Sequence, residues 1–212
     1  MSKKAILFDL DGTLTDSGEG IINCVTLALE HFGLPIPSRE ELSVFIGPPL
    51  DDSFKKFGVP EDRIDEAIAV FRSRYLTKGK FENFPYPGIP ELLGKLQAQG
   101  HDLYVATSKL EETAVEIMDH FDLSKYFTRI CGADAEKTRN SKSKVIAYLL
   151  DTLVNVDEFV MVGDTDFDVL GAKAHNIPTI GVSWGYGKVK DMLDAGAVSI
   201  AHNMDELFNL LK

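Results

Sequence analysis

The sequence predicts an α/β fold: a Rossmann-like parallel sheet core interrupted by an inserted α-helical cap. Three observations carry that expectation. Ala5-Ile6-Leu7-Phe8 is a continuous apolar run closed by Asp9, the pattern of a strand buried on both faces. Four more such runs, Leu103 to Thr107, Arg129 to Cys131, Phe159 to Val162 and Thr179 to Val182, alternate with stretches of helical spacing, and that alternation implies a parallel sheet. Between the first strand and a helix at Ile89 no strand-like run occurs, and the apolar residues follow helical periods instead.

The run at Ala5 is the expected central strand. Ile21, Val25, Ala28 and Phe32 then form a helical stripe ended by Gly33, and Ile64, Ile68, Phe71 and Tyr75 form a second. A middle piece from Phe45 to Phe57 is broken around Gly47-Pro48-Pro49. These stretches make up the cap, residues 17–85, hinged at Asp16-Ser17-Gly18 and at Phe84-Pro85-Tyr86-Pro87-Gly88, both of turn-forming composition. The core is therefore discontinuous, 1–16 and 86–212. Its helices are marked by Leu92, Leu93 and Leu96 before Gly100, by Ala114, Val115 and Met118, by Val145, Ile146, Leu149 and Leu150, and by Leu207, Phe208 and Leu211.

Composition narrows the function. In 212 residues, 44% hydrophobic and 26% charged, the chain has enough apolar content for a packed core, which excludes a disordered or low-complexity protein. With 22 basic against 33 acidic residues the net charge is −11, which repels a polyphosphate backbone and excludes a nucleic-acid polymer as partner. The N-terminal Met1-Ser2-Lys3-Lys4 leads into a short apolar run that ends at a charge, too short for a signal-peptide core or a membrane span. A cytoplasmic monomer or homodimer with no membrane partner is expected. Cys24 and Cys131 read as reduced packing residues.

The chemistry sits at strand ends. Asp9-Leu10-Asp11-Gly12-Thr13-Leu14-Thr15 places two carboxylates two residues apart at the carboxyl end of a buried strand, where open α/β sheets hold their ligands. A second acidic cluster, Gly163-Asp164-Thr165-Asp166-Phe167-Asp168, follows Phe159 to Val162 in the same way. If the two strands are neighbours, several carboxylates converge, and unit charges ~4 Å apart repel by several kcal/mol at an effective dielectric of ~20. A hard dication is implied, and an all-oxygen donor set favours Mg²⁺ over zinc. Groups complementary to a phosphoryl ligand lie at the remaining strand ends: Thr107 and Ser108, whose hydroxyls and backbone N–H groups suit phosphate oxygens, and Lys142, which opens a helix. Lys142 competes for that role with Lys137, Arg139 and Lys144, but its spacing to the helix is the best.

Blander readings account for other features. Asp164, Asp166 and Asp168 fit the first, third and fifth places of a calcium loop, but Val169 and His175 stand where that loop needs Gly and Glu. Asp166 reads as a solvated turn residue and Trp184 as packing. Gly185-Tyr186-Gly187 lacks the third glycine of a dinucleotide fingerprint and reads as a loop. The five histidines fall singly, which is unsuited to metal ligation.

On its motifs, Asp9 to Thr15 above all, followed by Thr107, Lys142 and Gly163 to Asp168 in order, the chain resembles the haloacid dehalogenase superfamily of phosphatases. It is most similar to the phosphoglycolate phosphatase-like branch with a small helical cap. The charged Asp134-Ala135-Glu136-Lys137 stretch departs from that branch. The resemblance implies Asp9 as nucleophile, forming an aspartyl-phosphate, and Asp11 as general acid for the leaving alcohol and then base for water. It implies Thr107 as a phosphate ligand, Lys142 as orienter of nucleophile and phosphate, and Mg²⁺ held by Asp9, Asp164 and Asp11 through its backbone carbonyl, with Asp168 in support. Glu19, Gly47 and Pro48 of the cap would set leaving-group specificity. The implied substrate is a small phosphorylated metabolite, phosphoglycolate by default or a nucleoside 5′-monophosphate as rival. A sugar-phosphate mutase of the same superfamily and a receiver-like phosphoaspartate signalling module stay open as alternatives. Thr13-Leu14-Thr15 is more phosphatase-like than mutase-like, and a receiver needs neither Asp11 nor a cap.

Overall fold

The structure, a computed structural model, describes residues 4–48, 50–153, 156 and 158–212. The chain divides into two compact units, Met1–Thr15 with Pro85–Lys212, and Asp16–Phe84. In chain order the elements are β1 (Lys4–Phe8), β2 (Thr15–Asp16), α1 (Gly18–His31), α2 (Arg39–Leu42), α3 (Leu50–Lys56), α4 (Ile64–Tyr75) and β3 (Phe84–Pro85). They continue as α5 (Ile89–Ala98), β4 (Asp102–Leu110), α6 (Glu111–His120), β5 (Arg129–Ala133), α7 (Lys142–Leu150) and β6 (Glu158–Gly163). The last are α8 (Asp166–Lys173), β7 (Thr179–Val182), α9 (Val189–Ala195), β8 (Ser199–Ala201) and α10 (Met204–Leu211).

The first unit is built on a six-stranded sheet in the order β5-β4-β1-β6-β7-β8, and every pairing in it is parallel. This is the α/β fold the sequence predicts. β1 is central because it must be: Ala5, Ile6, Leu7 and Phe8 are at most 1% exposed, and only an inner strand has apolar cover for both faces. Alternation sends Ile6 and Phe8 into one core with Leu92, Leu93, Leu96, Val105, Val162 and Leu207. Ala5 and Leu7 enter the other with Tyr104, Val145, Ile146, Leu149 and Met161. The chain runs outward from β1 to β4 and β5, then returns to β1's other side for β6, β7 and β8. The sheet thus changes direction at the carboxyl end of β1, between β4 and β6, where such sheets open a ligand crevice. The sixth strand, β8, is absent from the sequence expectation; it is three residues long, at the sheet edge, and begins at a serine.

The second unit is helical. Ile21, Val25, Ala28 and Leu29 of α1 are buried, as are Ile64, Ile68, Phe71 and Tyr75 of α4. Phe45 meets Phe54 and Phe57 with ring centroids 5.0 and 4.9 Å apart. Arg74 at the end of α4 donates to both oxygens of Glu82, at 2.7 and 2.8 Å, and this pairing holds the Glu82 carboxyl down at about 2. Cys24, in α1, and Cys131, in β5, are both buried and free. Among the described residues no helix is long and apolar enough to cross a membrane.

Leu7 is fully buried in the central strand. Leu7→Ala is expected to lower unfolding free energy by about 2–5 kcal/mol, read as a reduced midpoint in urea unfolding followed by far-UV circular dichroism. A change within about 0.5 kcal/mol would show that β1 is not the packed centre.

Candidate active site

Three strand ends and two helix starts converge at the crevice. Asp9 directly follows β1, and its N–H donates to Val162 O of β6 at 2.9 Å. Asp164 follows β6, and Asp168 lies in the first turn of α8. Carboxylate oxygens of Asp9, Asp164 and Asp168 all lie within 4.8 Å of one another, and all three residues are buried.

The cluster is assembled around one cation. Lys142 is the first residue of α7, and its side chain is 4% exposed. Its Nζ lies 2.7 Å from Asp9 Oδ1 and 2.8 Å from Asp168 Oδ1, and it donates to Ala106 O of β4 at 2.9 Å. Burial alone would lower the lysine's affinity for its proton, but Asp168 and Asp9 outweigh it, so Lys142 is held firmly charged. Arg139 and Lys144 have other partners: Arg139 lies over the Tyr148 ring at 3.9 Å and Lys144 donates to Asn140 at 3.0 Å. Lys137 is exposed.

The carboxylates differ in what they hold. Asp168 is fully committed, because Oδ1 pairs with Lys142 while Oδ2 accepts from Thr165 N and Oγ1 at 3.1 and 2.9 Å, closing a capping box on α8. Asp164 accepts from Thr13 Oγ1 at 3.2 Å and from Tyr186 N at 2.8 Å. Burial, then Asp168 and Asp9, push the Asp164 carboxyl up to about 8 against these two hydrogen bonds. Burial raises Asp9 as well, to about 6, with Lys142 pulling down and Asp168 pushing up. Asp166 is half-buried at the start of α8, outside the trio.

Backbone near Asp164 comes close enough to require glycine. Gly12 has φ +83°, and a Cβ there would lie 2.2 Å from Asp164 Oδ2. A Cβ on Gly187 would meet Asp164 O at 2.0 Å. The Gly185-Tyr186-Gly187 segment is the loop the sequence suggests, and its position against Asp164 explains its composition. Trp184 packs against the core and its Nε1 also donates to Thr13 O at 3.2 Å.

The other expected residues are placed as follows. Thr107 is buried near the end of β4, one residue after the carbonyl that Lys142 holds, whereas Ser108 is exposed. The Asp11 carboxylate does not join the trio; its Oδ2 lies 2.8 Å from Lys109 Nζ, a partner that the sequence reading did not single out. Glu19 is exposed in the first turn of α1, Gly47 is exposed with φ +102°, and Pro48 is half-buried, all within the helical unit. Pro49 lies outside the described residues.

Three buried carboxylates around one ammonium leave an excess of negative charge in an all-oxygen setting, which fits a hard dication such as Mg²⁺. Since Asp168 is spent on Lys142 and Thr165, Asp9 and Asp164 are the carboxylates suited to hold it.

Residues 6–182 match the family description "haloacid dehalogenase-like hydrolase". The chain belongs to that family. Among its relatives, the tyrosine-protein kinase PtkA of Mycobacterium tuberculosis is 40% identical over 210 residues, 97% of this chain and 72% of the relative. A solved PtkA structure superposes with a TM-score of 0.88 over 99% of this chain and 98% of that one, at 40% identity. A 5′-nucleotidase of Pseudomonas aeruginosa is 42% identical over 189 residues, 88% of this chain and 86% of the relative. A phosphoglycolate phosphatase of Aquifex aeolicus is 33% identical over 192 residues, 90% of this chain and 89% of the relative. Within the haloacid dehalogenase-like hydrolases, this chain is a phosphatase.

The raised carboxyls give a sign for pH. The unfolded chain releases these protons near 3.8, while the fold retains them to about 6 at Asp9 and about 8 at Asp164. Stability of the metal-free protein therefore falls as pH rises from about 4 towards 8, and a dication that replaces the protons should restore it. Millimolar Mg²⁺ is expected to raise the melting temperature by more at pH 8.5 than at pH 6, measured by differential scanning calorimetry. An increment that is absent, or larger at pH 6, would contradict a metal site on these carboxylates.

Proposed function

We propose that the protein is a Mg²⁺-dependent phosphomonoester hydrolase that acts on a small phosphorylated metabolite through an aspartyl-phosphate at Asp9. The observation that carries this reading is the seating of Asp9 between the Lys142 ammonium and the Asp164 carboxylate. Phosphoryl transfer asks chiefly for in-line positioning and charge neutralisation, and a carboxylate fixed by a buried lysine meets the first demand. Bound by Asp9 and Asp164, Mg²⁺ would supply neutralisation of the phosphoryl oxygens.

In this scheme a carboxylate oxygen of Asp9 attacks phosphorus, the bond to the leaving oxygen breaks, and Asp11 gives that oxygen its proton. Water then attacks the phosphorus, Asp11 takes a proton from it, and the bond to Asp9 breaks to release phosphate. Lys142 holds Asp9 in place throughout. The buried Thr107 hydroxyl accepts from Lys109 N at 3.3 Å and keeps its own hydrogen for a phosphate oxygen. Glu19, Gly47 and Pro48 are the proposed specificity positions of the cap.

Phosphoglycolate is one candidate substrate, suggested by the Aquifex relative. A nucleoside 5′-monophosphate is the second, favoured by the higher identity of the Pseudomonas 5′-nucleotidase, 42% against 33%. A panel of phosphoglycolate, nucleoside 5′-monophosphates, sugar phosphates and phosphotyrosine, assayed for phosphate release with and without Mg²⁺, decides between them. Transfer of phosphate from ATP to tyrosine without release would instead favour chemistry like that named for PtkA.

Asp9→Asn is expected to abolish turnover, and Asp11→Asn to lower kcat by about 10²- to 10⁴-fold. Chelation of Mg²⁺ should silence the wild type. Metal-dependent hydrolysis that survives in Asp9→Asn would rule out the covalent route.

A further inference from the structure

Lys109 is an ammonium that the scheme above leaves without a task. Its side chain is 7% exposed, and Nζ lies 2.8 Å from Asp11 Oδ2. A lysine so buried needs a carboxylate partner, so its placement is tied to Asp11.

The backbone delivers it there. Ala106 of β4 pairs with Cys131 of β5, and the next pairing joins Leu110 to Ala133, so four steps along β4 run against two along β5. The surplus forms a bulge over Thr107, Ser108 and Lys109, and bulges re-aim side chains. Here the bulge leaves Ser108 exposed while Thr107 stays buried and the Lys109 side chain turns inward. The Lys109 N–H donates to Thr107 Oγ1 at 3.3 Å. On the far side, a Cβ on Gly132 would meet Lys109 O at 2.5 Å, so β5 backs the bulge tightly.

This contact makes the two oxygens of Asp11 unequal. Oδ2 faces the ammonium, while Oδ1 is buried with no hydrogen-bond partner among the described residues.

We propose that Lys109 is a positioning residue for Asp11, holding Oδ2 so that Oδ1 is the oxygen presented to the leaving group and then to water. The inference rests on the assignment of Asp11 as acid and base in the proposed reaction. As the Asp9 oxygen bonds to phosphorus and the ester bond breaks, the proton on Oδ1 passes to the ester oxygen. As water adds and the Asp9 bond to phosphorus breaks, a water proton returns to Oδ1. Lys109 exchanges no proton in either step.

The test is a double-mutant cycle on the full chain in Mg²⁺, comparing wild type, Lys109→Met, Asp11→Asn and the double variant. Two substrates are used: the best alkyl phosphomonoester from the panel, and p-nitrophenyl phosphate, whose leaving group needs little protonation. Lys109→Met is expected to lower kcat on the alkyl ester by about 10- to 10²-fold with KM changed less than about threefold, whereas with p-nitrophenyl phosphate the first-turnover burst of p-nitrophenolate should slow less than about threefold and the loss should fall on the hydrolysis step that follows. In the Asp11→Asn background the same change should cost nothing further. Equal losses in both backgrounds, a p-nitrophenolate burst slowed as much as turnover of the alkyl ester, or a change in KM alone would overturn the proposal. Circular dichroism checks the fold; if Lys109→Met does not fold, Lys109→Gln replaces it in the cycle, and failure of both would assign Lys109 a structural role instead. Wild-type inactivity, or full activity of Asp9→Asn, would defeat the underlying reaction scheme rather than this inference alone.

Discussion

The Lys142 ammonium is the interaction on which the site depends. Its contacts at 2.7, 2.8 and 2.9 Å reach two carboxylates and a backbone carbonyl, one acceptor for each of its hydrogens. Those acceptors come from the loop after β1, from α8 and from β4. A buried ammonium requires such partners, and buried carboxylates require such an ammonium. The lysine therefore fixes the relative positions of three separate stretches of chain, and the packing of α7 on α8 is part of the same arrangement: a Cβ on Gly171 would come within 2.6 Å of Lys142 Cγ.

One lysine neutralises only part of the trio's charge, and the remainder appears in the raised carboxyls of Asp9 and Asp164. The fold bears that cost because the residues around it leave little alternative. Asp168 is locked by its capping box, while Asp164 is gripped by Thr13, by Tyr186 N and by glycine backbone. Neither can turn away to relieve the repulsion. Sites that must bind a cation are commonly built this way, with stability given up locally where preorganisation is needed.

Much of this arrangement was legible in the sequence. The run Ala5 to Phe8 declares a doubly buried strand because both of its faces are apolar, and Asp9 declares its end. Alternation of such runs with helical stretches gives the parallel sheet. β8 escaped because a three-residue edge strand carries no pattern of its own. At the site, spacing to a strand or helix start singled out Asp9, Asp164 and Lys142, which the structure brings together. It could not separate Thr107 from Ser108 or single out Lys109, because a bulge changes which side chains point inward without altering composition. The close approach of Gly185-Tyr186-Gly187 to Asp164 was equally hidden, since proximity between distant loops has no local signature.

The two carboxylates in Asp9-Leu10-Asp11 show how little spacing alone decides. Residues two apart in a continuing strand face the same way, which would have set both acids on one cation. β1 stops at Phe8, however, and the chain then turns back on itself: Gly12 N donates to Thr15 O at 2.8 Å with Gly12 at φ +83°. Asp9 is left against Lys142, which it shares with Asp168, while Asp11 is carried to a lysine from another strand. Distinct environments are what allow two chemically identical side chains to take distinct roles. The turn at Gly12 is thus as much a part of the proposed division between nucleophile and acid as the aspartates themselves.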